Sequence, residues 1–449
     1  MIPRMRQRSS GHRTASGRAP LVALASLTAA LLGCSGEDTA APAEAPGSLT
    51  YHRDIKPIVD AKCVSCHDAG GIAPFTLTSY EDVRDMKDGV RRAVAERTMP
   101  PWLAADRCAD YAGDRSLSDE QIAAITAWVD AGAPAGDPAD APSGGDDEPG
   151  LELSRVDLTL PMPEPYTPQN TPDDYRCFLI DWPEQETTYV TGLGIRAGVP
   201  EILHHMIAFL ATPDKVAEYE ALDAAEPGPG YTCYGGPGGS VQGRAAWMGT
   251  WVPGVTGKDF PAGTGVEVPL GSKVVLQLHY NTTYADPSPD VTELLLKIDP
   301  AVEKKAIIVP FTDFTWVAAQ QMEIPAHSTD VVHTTSRDIT KVLGILSGGT
   351  LPDDTPLTLH TAGLHMHTLG KRAVTRIERQ DGTTECMLDI PRWDFHWQGQ
   401  YQFTEPKPLL PGDQVSLECA WDNPTDKDVN WGEGTGDEMC LSSFYVTTQ

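Results

Sequence analysis

Hydrophobic and polar positions follow two different periods along this chain, and the change falls near residue 134. Before it, Ile55, Ile58 and Val59 mark the apolar side of one short helix. Ile122, Ile125, Trp128 and Val129 form a second helical stripe. Its ends are also readable. Ser118 and Gln121 make a capping box, each side chain satisfying the other's backbone N–H, and Gly132 and Pro134 stop the run. After Gly150 the pattern becomes short runs of Val, Thr, Ile and Leu between Gly, Pro and Asp clusters, which predicts antiparallel strands. The clearest run is Ser272 to Tyr284. It puts Val275, Gln277, His279 and Asn281 on one face and Val274, Leu276, Leu278 and Tyr280 on the other.

From Pro134 to Gly150 the chain is rich in Pro, Gly and Asp without an apolar period, and residues 134–152 are the expected linker. The expected fold class is therefore multidomain: a small all-α domain over 49–133, then two all-β antiparallel sandwiches of jelly-roll type over 153–303 and 304–449. A length of 449 residues suits several cores. With 40% hydrophobic and 22% charged residues the chain is compositionally globular, and a net charge of −29 argues against nucleic-acid binding.

Arg4, Arg6, Arg8, Arg13 and Arg18 precede an apolar run from Leu21 to Leu32, so residues 1–33 read as an export signal. Leu31-Leu32-Gly33-Cys34 looks like a bacterial lipobox, so cleavage before Cys34 would leave a lipid anchor; a plain signal peptide is the alternative. Residues 34–48, rich in Ala, Pro and Glu, then form a tether. Ser35 fits outer-membrane sorting. The expectation is an exported lipoprotein on the outer membrane, at its periplasmic face or the cell surface. In that oxidising setting Cys108, Cys177, Cys233, Cys386, Cys419 and Cys440 are available for disulfides in many possible pairings.

The remaining two cysteines belong to Cys63-Val64-Ser65-Cys66-His67, the spacing that attaches a c-type haem through two thiols and an axial imidazole. A disulfide loop or zinc half-site is the competing reading. Met99, in Thr98-Met99-Pro100-Pro101-Trp102, lies between the two helices before prolines that fix a loop, and is the expected sixth ligand. Helices before and after the motif resemble a small cytochrome c, so 49–133 is expected to be a cytochrome c-like domain with one covalent haem c.

In Gly363-Leu364-His365-Met366-His367 a strand would put both imidazoles on one face. His204 and His205 are adjacent and need a strand end or twist to share a metal. On its own, that pair reads as one buried and one exposed residue. Together with Leu276-Gln277-Leu278-His279-Tyr280 and Asp437-Glu438-Met439-Cys440, these segments resemble the type II copper, ascorbate-dependent monooxygenases, the family of the dopamine and peptidylglycine hydroxylases. The likeness spans roughly residues 155–449.

The resemblance implies two copper ions: one on His204, His205 and His279 that passes on electrons, the other on His365, His367 and Met439. At the second, dioxygen is used to hydroxylate a carbon of a small organic substrate. It also implies an ascorbate-like or protein electron donor, a solvent-filled cleft between the two copper sites, a supporting role for Gln277, and disulfides Cys177–Cys233 and Cys419–Cys440. Cys108 and Cys386 receive no partner from it. Where the peptide-amidating branch has Arg, Asn and Tyr, this chain has Gly363, Leu441 and Ser443, which implies a less charged substrate and no peptidylglycine activity. His52, His327, His333, His360 and His396 read as surface or packing residues, His360 being the nearest rival ligand. An electron-transfer or copper-storage lipoprotein without hydroxylase activity is the alternative function.

Overall fold

Strands dominate the chain and gather into three sheets. The computed structural model describes residues 48–69, 73–142, 153–234, 236–240, 245–252, 257–283, 285–347 and 349–449. The signal segment, Cys34 and all of the tether but Ser48 lie outside them, as do residues 143–152 of the expected linker. No described helix is long and apolar enough to cross a membrane.

A nine-stranded sheet runs through both halves of the β region. Its centre is Lys304–Phe311, which pairs in parallel with Thr264–Val268 on one side and antiparallel with Leu441–Thr448 on the other. The expected join between two sandwiches is thus a strand inside one sheet. Two further sheets cover it. A five-stranded sheet, ordered Tyr231–Thr232, Asp173–Asp181, Lys273–Asn281, Leu203–Ala211, Ala246–Trp251, packs against the N-terminal half around Phe178, Met206, Leu276 and Tyr280. A four-stranded sheet packs against the C-terminal half around Ile377, Leu417, Trp421 and Phe444. The strand expected over 272–284 is Lys273–Asn281, a central strand buried on both faces.

The expectation of a separate all-α cytochrome c-like domain is overturned. The helices exist: Asp119–Asp130 begins at the Ser118–Gln121 capping box, and short helices span Lys56–Lys62, Tyr80–Asp85 and Lys87–Ala95. They bury a small cluster around Tyr51, Ile55, Val83, Ile125 and Trp128. Other apolar residues of the segment belong to the sheet core. Ala104 and Tyr111 lie in the same cluster as Trp421, and Trp102 and Tyr111 meet Tyr401 with ring centroids 4.9 and 5.4 Å apart. Backbone bonds Ala105 N to Asp389 O and Ala112 N to Gln402 O, and the disulfide Cys108–Cys386, fasten the segment down. Leu49–Gln449 consequently forms one compact, mostly β unit. The start of the expected linker is structured too: Pro134 O accepts from Tyr51 N and Trp128 Nε1, and Pro138–Asp140 is a 3-10 turn.

Candidate metal centre

His204 and His205 sit at the start of Leu203–Ala211, beside His279 on the neighbouring strand. The pairing register breaks between Leu203 and His205, so His204 is an extra residue in a bulge. A bulge re-aims its side chain, and adjacent histidines that would otherwise face opposite ways come to one side. Ligand atoms of all three lie within 4.8 Å of one another. His205 Nδ1 is 3.2 Å from His204 Nδ1 and 3.4 Å from His279 Nδ1. The other nitrogen of His279, Nε2, donates to Asp173 Oδ1 at 2.9 Å, which leaves Nδ1 as a lone pair aimed into the cluster.

Asp173 is itself tied down. It accepts from Asn281 Nδ2 at 2.9 Å and from Thr435 Oγ1 and N at 2.6 and 3.1 Å. Burial works against its charge, but the hydrogen bonds from His279 and Thr435 outweigh it and hold the carboxyl below the usual range.

His365 ends the strand Leu357–His365, and His367 follows two residues on, with Met366 between them buried in the core. The two rings are 5.1 Å apart at 86°. His365 Nδ1 lies 2.5 Å from Gln398 Oε1 and His367 Nδ1 lies 3.0 Å from Asp437 O. Both acceptors claim Nδ1–H, leaving Nε2 as the open nitrogen, the opposite choice from His279. Met439, 8% exposed, lines the same cavity as His205, His365 and His367.

Burial dominates the protonation of all five imidazoles. It lowers His204 to about 2, His365 to about 4 and His367 to about 3, and pulls His205 well below its ordinary value. His279 is lowered as well, although Asp173 opposes this. At neutral pH these are uncharged ligands. Three nitrogens at one end, and two nitrogens with a thioether at the other, fit copper in both oxidation states, the sulfur favouring Cu(I).

The two sets abut rather than face each other across open solvent. His205 and His365 have ring centroids 6.3 Å apart. Phe395 stacks on His204 at 4.3 Å and lies 5.9 Å from His367. A cavity of about 1860 Å³ opens beside them, lined by aromatic residues including Trp102, Phe311, Trp397 and Tyr401. Gly363, Leu441 and Ser443 line it as well. Gln400 lies over Gly363, donating to Ser443 Oγ and accepting from Thr361 Oγ1, and a Cβ at 363 would come within 2.8 Å of its Cδ.

Gln277 also lines the cavity, but its amide donates to Cys233 O and Gly236 O at 2.8 and 3.0 Å and so supports that loop. Disulfides join Cys177 to Cys233 and Cys419 to Cys440. Neither Cys63 nor Cys66 is in a disulfide. His67 Nδ1 lies 3.0 Å from Phe75 O, and Met99 is half-buried beyond the helix Lys87–Ala95. His360 bonds Thr447 Oγ1 and stays outside both sets. Sequence reasoning missed Asp173, Phe395, Gln398 and Glu438. Each acts on a ligand from a distant stretch of chain, and only an acid among apolar strand residues hinted at Asp173.

Residues 314–447 match the family described as copper type II ascorbate-dependent monooxygenase, C-terminal domain. DBH-like monooxygenase protein 1 of Gallus gallus is 24% identical over 311 residues, covering 65% of this chain and 46% of that protein. The chain therefore spans about half that relative's length. Among solved structures, the infectious bursal disease virus VP2 subviral particle aligns over 70% of this chain and 76% of its own at 14% identity, with a TM-score of 0.18 that relates nothing. The two likenesses agree: residues 314–447 match the C-terminal domain of the copper type II, ascorbate-dependent monooxygenases, and a longer stretch of the chain is similar to a DBH-like monooxygenase.

Proposed function

We propose that the protein is a two-copper monooxygenase that hydroxylates a C–H bond of a largely uncharged organic molecule. The observation that carries this is that the rings of His205 and His365 lie 6.3 Å apart, joining the His204/His205/His279 cluster to the His365/His367 pair, and that one cavity is lined by His205, His365, His367 and Met439. Copper bound there would supply dioxygen activation and one-electron chemistry, with an ascorbate-like or protein donor as reductant. The residues supply the rest. Neutral imidazoles offer lone pairs without losing protons, Asp173, Gln398 and Asp437 O fix which nitrogen each presents, and the aromatic walls hold an apolar substrate body away from water. With Gly363 capped by Gln400, no cation stands at that position to hold a carboxylate.

The test is metal analysis of copper-reconstituted protein, followed by oxygen uptake with uncharged aromatic and aliphatic compounds. Two copper ions per chain and substrate-stimulated uptake support the reading. Protein that takes up no copper, or that consumes no oxygen with any candidate, removes it.

The reading extends to a covalent haem on Cys63, Cys66 and His67. Neither cysteine is in a disulfide, and Phe75 O engages His67 Nδ1 and leaves Nε2 for iron. Haem there would carry single electrons toward the coppers. His67→Ala should abolish a low-spin haem spectrum without changing copper content; an unchanged spectrum assigns the haem elsewhere. The membrane anchor at Cys34 is proposed on the lipobox alone, and the mass of the mature N-terminus checks it.

A further inference from the structure

Glu438 is completely buried, and every described contact of its carboxylate is with an N–H donor. Oε2 accepts from the backbone N of His367 at 2.9 Å and from Trp421 Nε1 at 2.8 Å, and Oε1 accepts from the backbone N of Leu369 at 2.6 Å. Its own backbone is fixed as well, with Glu438 N donating to Asn430 O and Glu438 O accepting from Gly432 N, both at 3.1 Å.

The position gives these bonds their meaning. His365 is held by the sheet, paired with Leu441. His367 and Met439 are not. One follows the end of its strand and the other precedes the next, so no ladder sets the distance between them. Glu438 spans that gap, one peptide from Met439 and hydrogen-bonded to the peptide of His367. The disulfide at Cys440 fixes the far side of Met439 only.

We infer that Glu438 is a positioning residue for the second metal set, locking His367 and Met439 in register so that imidazole and thioether can share one ion. This rests on the two-copper reading above. Both oxygens accept, so glutamine at 438 would turn an NH2 group against at least one N–H donor and leave both without an acceptor. None of the described hydrogen bonds of Glu438 goes to the three-histidine set, so loss of the carboxylate should act on one site and spare the other.

The experiment is anaerobic Cu(I) titration of the reconstituted full chain against a chromophoric chelator, with X-ray absorption to detect a copper–sulfur bond. Glu438→Gln is expected to keep one copper at wild-type affinity, bind the second about 10- to 100-fold more weakly, and lose the sulfur signal, with near-UV circular dichroism unchanged. A variant binding both ions at wild-type affinity with sulfur retained overturns the inference, as does equal weakening of both sites. If Glu438→Gln does not fold, Trp421→Phe removes one donor to the same carboxylate. A shift confined to the sulfur-containing site then supports the role, and an unchanged or uniform shift ends it. Wild-type protein lacking a second copper would instead refute the parent reading.

Discussion

Replacing Asp173 with asparagine tests how far one carboxylate sets the three-histidine site. Its Oδ1 accepts three donors and its Oδ2 accepts Thr435 N. Asparagine can keep its carbonyl toward His279, Asn281 and the Thr435 hydroxyl, but its NH2 then meets Thr435 N–H. One bond is lost, one donor is stranded at about 1–3 kcal/mol, and the bonds that survive lose their charge assistance. Since His279 still finds an acceptor for Nε2–H, its Nδ1 stays open and copper still binds. The expected weakening is roughly 10-fold for Asp173→Asn, and nearer 100-fold for Asp173→Ala, where all of these donors lose their acceptor. Competition titration with a Cu(I) chelator measures both. Asp173→Ala within twofold of wild type, or Asn worse than Ala, would show that His279 needs no help to present Nδ1.

Met439→Ala should leave one copper on the three histidines and abolish substrate-dependent oxygen uptake; retained turnover would take Met439 out of the site. Cys108→Ser with Cys386→Ser frees a crosslink between residues 278 apart, which the chain-entropy relation values at about 5–6 kcal/mol and typical removals at about 2–5. Urea unfolding should register a loss of that order, and a change below about 1 kcal/mol would mean the helical segment holds to the sheet by packing alone. In metal-free protein, His365 and His367 are held below their ordinary 6.5, so the unfolded chain binds more protons in acid. Stability should be intact above about pH 6.5 and fall as pH drops, by about 1.4 kcal/mol per unit for each residue, until about pH 4 for His365 and about pH 3 for His367. A flat denaturation midpoint from pH 7 to 5 would contradict the burial of both rings.

Much of the β region was legible because alternation is a local signal. The run around His279 announces its two faces, and Met366 between two histidines separates core from site. The capping box at Ser118 likewise needed only four residues. What stayed hidden depended on partners. A bulge at His204 exists only relative to the register of His279's strand. The Cys108–Cys386 bond joins residues with no sequence relation, and Glu438 reads as an ordinary acid until Trp421 and His367 surround it. The helical segment was misjudged for the same reason. Its stripes are real, but Trp102 and Tyr111 are shared with Tyr401, so the boundary between domains lies in packing and not in composition.

The central strand Lys304–Phe311 has one more consequence. The matched family domain begins at residue 314, beyond this strand, so a fragment cut at that boundary would forfeit the partner of Leu441–Thr448 and present a bare edge. Cutting before it would strip Thr264–Val268 instead. Because this one sheet draws strands from both halves of the β region, the unit recognised by inheritance and the unit that bears load differ, and the halves cannot be expressed as self-sufficient pieces.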